Sequence, residues 1–387
     1  MDNYVPYHVH TELSLLDSCT NYKDYVDFCV DNNIKAICFT EHGNIFRHFS
    51  KRQYCKEKGI KYLHGCEVYL TQQLEPKIRD NYHTILIAKD MEGFRELNLL
   101  VGKATNKEHF YYNPRLSFDE FFNISDHIFK ISACLKSPLN YKSEIDSKVY
   151  DQLCKTYDYY EIQYHNDSEH AQYNFNKYLY ELSKKYNKPL IAAGDSHSVS
   201  QYKAECRKIL LKAKNKSYGN EDNFDLVIKN YTDFLEAFKT QNALPESVYK
   251  EAINNTNIMA DQCQEITDEY SVKYPIVSND DEKDLKELIN KKYKEKLDKG
   301  IISKDKKYLE NIREEFRVFK KVNMLGFMLG MAQISEWCEN NDIPRGFGRG
   351  SCCGSTIAYI IDIIDVDPVK WNTIFSRFCN EFRSEVR

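Results

Sequence analysis

The sequence predicts an α/β protein, with a strand-and-helix domain over residues 1–273 followed by a mainly helical unit over residues 274–387. Three observations carry that expectation. Short β-branched or aromatic runs alternate with helical patterns through the first 200 residues, as in a parallel sheet that is open or closed into a barrel. His, Asp, Glu and Cys side chains stand at or near the ends of most of those runs, where the loops of a barrel-type fold converge. After about residue 200 the strand signal fades, and a proline-containing break at 274–281 precedes highly charged helical patterns.

Taken in order, the predicted strands are 4–10, 34–40, 61–70, 84–88, 128–133, 159–163 and 189–193, most of them carrying the β-branched or aromatic residues that suit a pleated surface. Helical spacing fills many of the gaps, at 22–32, 46–58, 91–103 and 169–186. Two further helices are expected at 232–239 and 246–264. Beyond the break, 281–299 and 304–322 are charged helices with apolar residues such as Leu285, Leu288, Ile289 and Tyr293 on one face, and their charges read as solvated outer faces. A more apolar helix over 324–340, a glycine-rich loop at 346–350 and a helix over 351–363 complete the chain. No repeat of 20–50 residues points to a solenoid.

Composition narrows the classes. At roughly 150 residues per domain, 387 residues make two or three domains. A hydrophobic share of 42%, with 21 Phe and 29 Tyr, excludes a disordered or fibrous chain. No run approaches the roughly 18 apolar residues of a membrane span, and the N-terminus MDNYVPYHVH has no signal-peptide pattern. Thirteen cysteines without a C-x-x-C pair argue against a disulfide framework or zinc ribbon, so a reducing, cytoplasmic setting is expected, with no membrane partner. The net charge of −4 excludes a generally basic nucleic-acid binder, leaving any such contact to local patches.

The chemistry-bearing residues follow the strands. The first ends in His8-x-His10, whose side chains point the same way if the strand is regular, as two ligands of one ion do. Asp17 follows in the next loop, the second strand ends at Thr40-Glu41-His42-Gly43, and the third carries Glu67. His83 precedes its strand, so that strand should run opposite to the others or lie at the rim; Cys134 and then Asp195-Ser196-His197 close two later ones. His48, His109, His127, His165 and His170 are expected at the surface, His64 on the far face of its strand, and Cys66 as a buried apolar residue. Nine mixed N, O and S ligands exceed the needs of one ion and suit two or three divalent ions such as Zn²⁺ or Mn²⁺. Clusters of that kind generate hydroxide from bridging water and clamp the oxygens of a phosphoester, which predicts phosphoester hydrolysis.

These motifs resemble those of the PHP (polymerase and histidinol phosphatase) family. His8, His10 and Asp17 match its opening H-x-H…D, His42 its T-x-H-G, Glu67 its G-x-E, His83 and Cys134 its two isolated ligands, and Asp195 and His197 its closing D-x-H. The resemblance implies a distorted seven-stranded (β/α)7 barrel and, with all nine positions filled, catalytic and metal-binding roles for those nine residues.

Four of the 14 glycines, Gly346, Gly348, Gly350 and Gly354, fall within nine residues. Such a loop lets backbone N–H groups approach an anion, and Arg349, Ser351 and Ser355 add charge and donors, although from this motif alone a tight structural turn is the plainer reading. The stretch IPRGFGRGSCCGSTIAYIIDIIDVDP, with FSRFCN after it, is similar to the start of the palm in bacterial replicative DNA polymerase III alpha subunits. That resemblance runs through essentially the whole chain and implies that Arg349, Gly350, Ser351, Gly354 and Ser355 contact the triphosphate of an incoming dNTP. Phe347 stands where the family usually has proline, Cys352-Cys353 where it has small residues, Asp362 where it has glycine and Ser376 where it has glutamate. Asp365 and Asp367 look like a two-metal pair, but in the family the catalytic carboxylates come later, so these two read as turn or capping residues.

The function expected is therefore the N-terminal portion of a DNA polymerase III alpha-type replicase, with the PHP domain acting as a metal-dependent 3′→5′ exonuclease. Its implied partners are DNA, dNTP and the remaining polymerase region or a complementing chain, with Mg²⁺ and dNTP bound only by a completed palm; this chain alone is not expected to polymerise. A non-catalytic scaffold stapled by metal and a phosphatase for small molecules are the alternatives.

Overall fold

A computed structural model describes residues 3–75, 78–215, 217, 224–267 and 275–382. The chain forms two compact units, Met1–Asp268 and Glu269–Arg387. The boundary predicted between residues 273 and 274 lies outside the described residues.

The first unit contains β1 (Ala36–Phe39), β2 (Lys61–Thr71), β3 (Tyr82–Ala88), β4 (Arg115–Ser117), β5 (Ile128–Ile131), β6 (Tyr160–Gln163) and β7 (Leu190–Ala193). Its helices are α1 (Tyr22–Asp31), α2 (His48–Lys58), α3 (Met91–Ala104), α4 (Phe118–Phe122), α5 (Ser147–Thr156), α6 (Ala171–Tyr186), α7 (Gln201–Ala213), α8 (Tyr231–Gln241) and α9 (Glu246–Gln262). One sheet runs β1-β2-β3-β5 with β4 beside β2, and β6 and β7 form a second. The expectation of a parallel sheet is corrected here: β2–β3 and β3–β5 are antiparallel, whereas β1–β2, β2–β4 and β6–β7 are parallel. β3 is the reversed strand that the position of His83 required. The barrel is not closed by continuous ladders; isolated bridges at Ile131–Tyr159 and Val9–Ser196 link the sheets.

Residues 4–10 do not form the regular strand expected. Tyr7 Oη and His8 Nδ1 both reach the carboxylate of Glu161, at 2.9 and 2.8 Å. Consecutive side chains of a regular strand point to opposite faces, so the backbone must step out of alternation between them. The segment still joins the wall: Cys38 N donates to the Pro6 carbonyl, Thr40 N to Val9, His10 N to Ser196, and Ser196 N to His8.

Two layers of core support this wall. Val5, Tyr7, Cys38, Leu63, Ile85, Ile87, Phe129 and Ile191 pack in one cluster with Met259, Ala260 and Cys263 of and beside α9. A larger cluster packs the helices against the other strand faces, with Tyr25, Val26, Leu97, Phe121, Leu153, Leu179 and Phe238 among its buried residues. Helix starts follow side-chain chemistry: Asp90 accepts from Glu92 N and Gly93 N at α3, and Ser117 with Glu120 forms a capping box at α4. Helix α7 was not anticipated, because its buried face is carried by Arg207 and Leu211, and an arginine interrupts the apolar spacing that marks a helix.

The second unit packs α10 (Asp281–Asp298), α11 (Lys306–Lys321), α12 (Leu325–Asn340) and the short α13 (Thr356–Ile360) around Leu285, Ile289, Phe319, Met328, Ile357 and Ile360. The helix expected over 351–363 is shorter. It opens as a 3₁₀ turn at Gly350–Gly354, and after α13 the chain leaves the helix through Asp362 at φ 61°. That left-handed geometry accounts for a glycine preference at this position. Asp362 meets it as a short polar residue whose carboxylate pairs with Lys292 and Lys296 at 2.7 and 2.8 Å. Asp367 accepts from Val369 N, Lys370 N and Tyr308 Oη, a turn residue with its acceptors engaged.

Candidate metal centre

The site forms where β2, β3 and the segments following β1, β5 and β7 meet residues 8–17. Its backbone is held in uncommon conformations: Ala133 and Asp195, just past β5 and β7, have φ values of 59° and 45°. Such φ values in non-glycine residues cost about 1–3 kcal/mol each and persist only where the surroundings fix them. Gly43, at φ 62°, could not carry a Cβ, which would lie 2.5 Å from Pro114 Cγ.

Glu67 is the hub. Its Oε1 lies 2.9 Å from His83 Nδ1 and 3.5 Å from His8 Nε2, and its Oε2 lies 2.6 Å from His42 Nδ1 and 3.6 Å from His10 Nε2. Asp195 Oδ1 lies 3.2 Å from His8 Nε2, 3.4 Å from His10 Nε2 and 3.6 Å from His197 Nδ1. Asp17 Oδ2 joins His42 and His197, at 3.0 and 3.3 Å, and Cys134 Sγ stands 3.6 Å from His83 Nδ1. All nine candidate residues thus fall into one connected network. Three subsets bring ligand atoms within 4.8 Å of one another: His10-His42-His197, His8-His10-Glu67 and His42-Glu67-His83.

The donor set fits divalent cations on an independent observation. His8 Nε2, His10 Nε2, His42 Nδ1, Glu67 Oε2 and Asp195 Oδ1 are buried and meet one another only in ion-pair approaches of 2.6–3.6 Å, without a well-formed hydrogen bond. Five buried polar atoms crowded together without well-formed hydrogen bonds are costly unless a cation draws on them. The outward nitrogens of the first two rings are occupied. His8 Nδ1 meets Glu161, and His10 Nδ1 lies 2.8 Å from Ser14 Oγ, which donates to Glu41 Oε2 at 2.6 Å. Lys51 lies 2.6 Å from Glu41 Oε1. Such outer partners fix the ring tautomer that presents Nε2 to a metal.

Electrostatics follow the same pattern. Burial opposes charge on His8, but Asp195 and Glu161 carry its pKa well above the ordinary value. Burial likewise opposes charge on His42, which Glu67 and Asp17 nevertheless bring up to about 10. Burial and the neighbouring His42 and His197 hold His10 down to about 3. Asp17, Asp195 and Glu67 are held well below the carboxylate range by the surrounding rings despite burial. The His/Glu clusters are consistent with a PHP-type metal site.

The centre opens onto a cavity of about 260 Å³ whose wall includes Tyr69, Asn81, Asn113, Lys136 and Arg207. Glu41, Ser14, Glu161 and Arg207 escaped the sequence reading. Arg207 donates from Nε to the Asp17 carbonyl and from Nη2 to its carboxylate, both at 2.6 Å. The only local signal was Glu41 beside His42; Glu161 and Arg207 reach the site from strand and helix interiors. Two histidines expected at the surface are buried: His109 bonds Glu120 at 2.8 Å, and His165 lies beneath Phe224.

In the second unit, Arg349, Gly350 and Ser351 are exposed, whereas Gly354 and Ser355 are buried. Ser355 Oγ donates to Glu315 Oε2 at 2.7 Å and accepts from Ala358 N. Gly354 is required by close approach, since a Cβ would lie 2.5 Å from the Ile374 carbonyl oxygen.

The chain matches the PHP domain family over residues 6–167 and the bacterial DNA polymerase III alpha NTPase domain over residues 283–386. It is 30% identical to DNA polymerase III subunit alpha of Aquifex aeolicus, covering 98% of this chain and 35% of that protein. It is 29% identical to the same subunit of Borreliella burgdorferi, covering 98% and 34%. The chain therefore spans about a third of the length of these curated relatives. Among solved structures, a two-domain protein from Bacteroides vulgatus containing a predicted PHP-like metal-dependent phosphoesterase aligns at 15% identity and a TM-score of 0.34, over 53% of this chain and 55% of that one. Among the described residues no helix is long and apolar enough to cross a membrane. From end to end, the sequence corresponds to the N-terminal PHP domain and alpha NTPase region of DNA polymerase III alpha subunits.

Proposed function

We propose that the N-terminal unit is a metal-dependent phosphodiesterase acting as a 3′→5′ exonuclease on DNA, within a DNA polymerase III alpha-type replicase. The observation that carries this reading is the set of five buried ligand atoms that crowd together without well-formed hydrogen bonds beside an open cavity. His8, His10, Asp17, His42, Glu67, His83, Cys134, Asp195 and His197 would hold two or three ions such as Zn²⁺ or Mn²⁺. When bound, these supply activated water at neutral pH and offset the charge of a phosphodiester.

The chain's own groups orient the substrate. Lys136 brings a cation to the cavity wall for a non-bridging phosphate oxygen, and Asn81 and Asn113 bring amide donors. Arg207 fixes Asp17, which in turn holds His197 in place on the cavity wall. In the second unit, the exposed Arg349, Gly350 and Ser351 are proposed to meet the dNTP triphosphate with Mg²⁺, with Gly354 and Ser355 shaping the loop from beneath. DNA and the rest of the polymerase, on this or another chain, are the proposed partners.

The test is a 5′-labelled oligonucleotide incubated with purified protein and Mn²⁺ or Zn²⁺. Stepwise shortening from the 3′ end is expected, and His10→Ala should abolish it. Equal activity in wild type and variant would overturn the assignment; metal-dependent stability without cleavage would support the scaffold reading instead.

A further inference from the structure

A second cavity, of about 380 Å³, adjoins the metal centre; both are lined by Arg207, Phe224 and Leu226. Its size falls within the roughly 300–1,000 Å³ of pockets that take small organic groups. Its walls differ from those of the metal centre. Leu211, Phe224 and Leu226 give it an apolar part, Lys208 and Lys212 of α7 give it cations, and among the described residues no carboxylate lines it. The Phe224 ring is backed by His165, whose centroid lies 4.6 Å away at an interplanar angle of 10°. His165 is 2% exposed and neither ring nitrogen has a hydrogen-bond partner. Burial holds its pKa down to about 4, so at neutral pH it is an uncharged stacking partner.

An aromatic face with lysines beside it is how sequence-tolerant single-strand sites combine base stacking with phosphate attraction. We infer that this cavity is a nucleotide subsite for the single strand entering the metal centre: Phe224 stacks the base next to the scissile linkage, and Lys208 and Lys212 hold the following phosphates. The inference rests on the exonuclease reading for what happens next door, but binding alone tests it. Lys208 pairs with Glu205 at 2.9 Å on the outside of α7, an exposed i,i+3 contact that a phosphate can replace at little cost.

The experiment is fluorescence anisotropy with a labelled ten-nucleotide single strand and the full chain in chelator, so that nothing is cleaved, repeated over a salt series. Lys208→Ala/Lys212→Ala should weaken binding at least fivefold and flatten the slope of log affinity against log salt by about 1.4, the value for two phosphates on a single strand. Phe224→Ala should weaken binding by about tenfold, Phe224→Trp should restore it, and an abasic strand of equal charge should not distinguish these variants. Thermal melting of each variant separates local loss from unfolding. Unchanged affinity and slope in the lysine variant, or equal loss of normal and abasic strands in Phe224→Ala, would overturn the subsite. Loss of binding as expected together with absence of cleavage by the metal-loaded wild type would leave the subsite standing and remove the exonuclease reading.

Discussion

Glu161→Gln isolates the contribution of an outer partner to the metal centre. Glu161 is fully buried and accepts from three donors: Tyr7 Oη at 2.9 Å, His8 Nδ1 at 2.8 Å and Gln163 Nε2 at 2.7 Å. A glutamine keeps the shape and can turn its amide nitrogen toward Tyr7, whose oxygen can accept, leaving a carbonyl for His8 and Gln163. What disappears is the charge, and hydrogen bonds to a charged acceptor are roughly twice as strong as neutral ones. His8 then becomes a poorer, less firmly oriented ligand. Loss of such an outer partner costs about 10–100-fold in metal affinity, or roughly 1.4–2.8 kcal/mol. Competition for Zn²⁺ or Mn²⁺ against a chromophoric chelator reads the affinity, and near-ultraviolet circular dichroism confirms that the core is intact. An affinity within twofold of wild type, in a folded variant, would refute the claim that Glu161 prepares His8 for a metal.

Three other outcomes follow from the same structure. Chelation should lower the melting temperature, because ions at 100 times their Kd contribute about 2.7 kcal/mol, and readdition should restore it; a melting temperature indifferent to chelator and metal would argue against a site formed only in the folded state. Glu315→Ala should destabilise the second unit by about 3 kcal/mol in urea titrations, since the Glu315 carboxylate accepts from Ser355 Oγ, Thr356 N and Ile357 N and its loss strands buried donors. Glu120 gives a pH signature: burial opposes its charge, but Lys103, His109 and the Ser117 N–H bring it down to about 2. Its contribution is therefore fully present above the unfolded value near 4.5 and lost as pH falls through about 2, by about 1 kcal/mol after solvent screening. Urea midpoints of wild type and Glu120→Gln should converge across that window, and a constant gap would contradict the assignment.

Much of this organisation was legible in the sequence, for identifiable reasons. Strands β1, β3, β5 and β6 are β-branched or aromatic at half or more of their positions, and the helices from α8 to α12 carry clear apolar spacing. The nine candidate ligands were visible because metal-capable residue types stood at strand ends, a pattern that survives errors of a few residues in each boundary. What stayed hidden was set by tertiary pairing. The step between Tyr7 and His8 exists because both reach Glu161, 153 positions beyond His8. β4 has only three residues and owes its strand geometry to pairing with β2. His165 is buried because Phe224 covers it, and no local feature of Tyr164-His165-Asn166 announces that.

The pairing of residues 8–10 with Ser196 also has a consequence in time. His10 N–H bonds the Ser196 carbonyl at 2.8 Å and Ser196 N–H bonds that of His8 at 3.0 Å, so one edge of the opening segment has its partner only when residue 196 exists. At about 5–20 residues per second, roughly 10–40 s of synthesis separate the two. During that interval His8 and His10 belong to an unfinished wall, without Asp195 or His197 opposite them. The candidate metal centre is therefore among the last features of the first unit to be completed on the ribosome, and it could hold an ion only once the two ends of the ring have met.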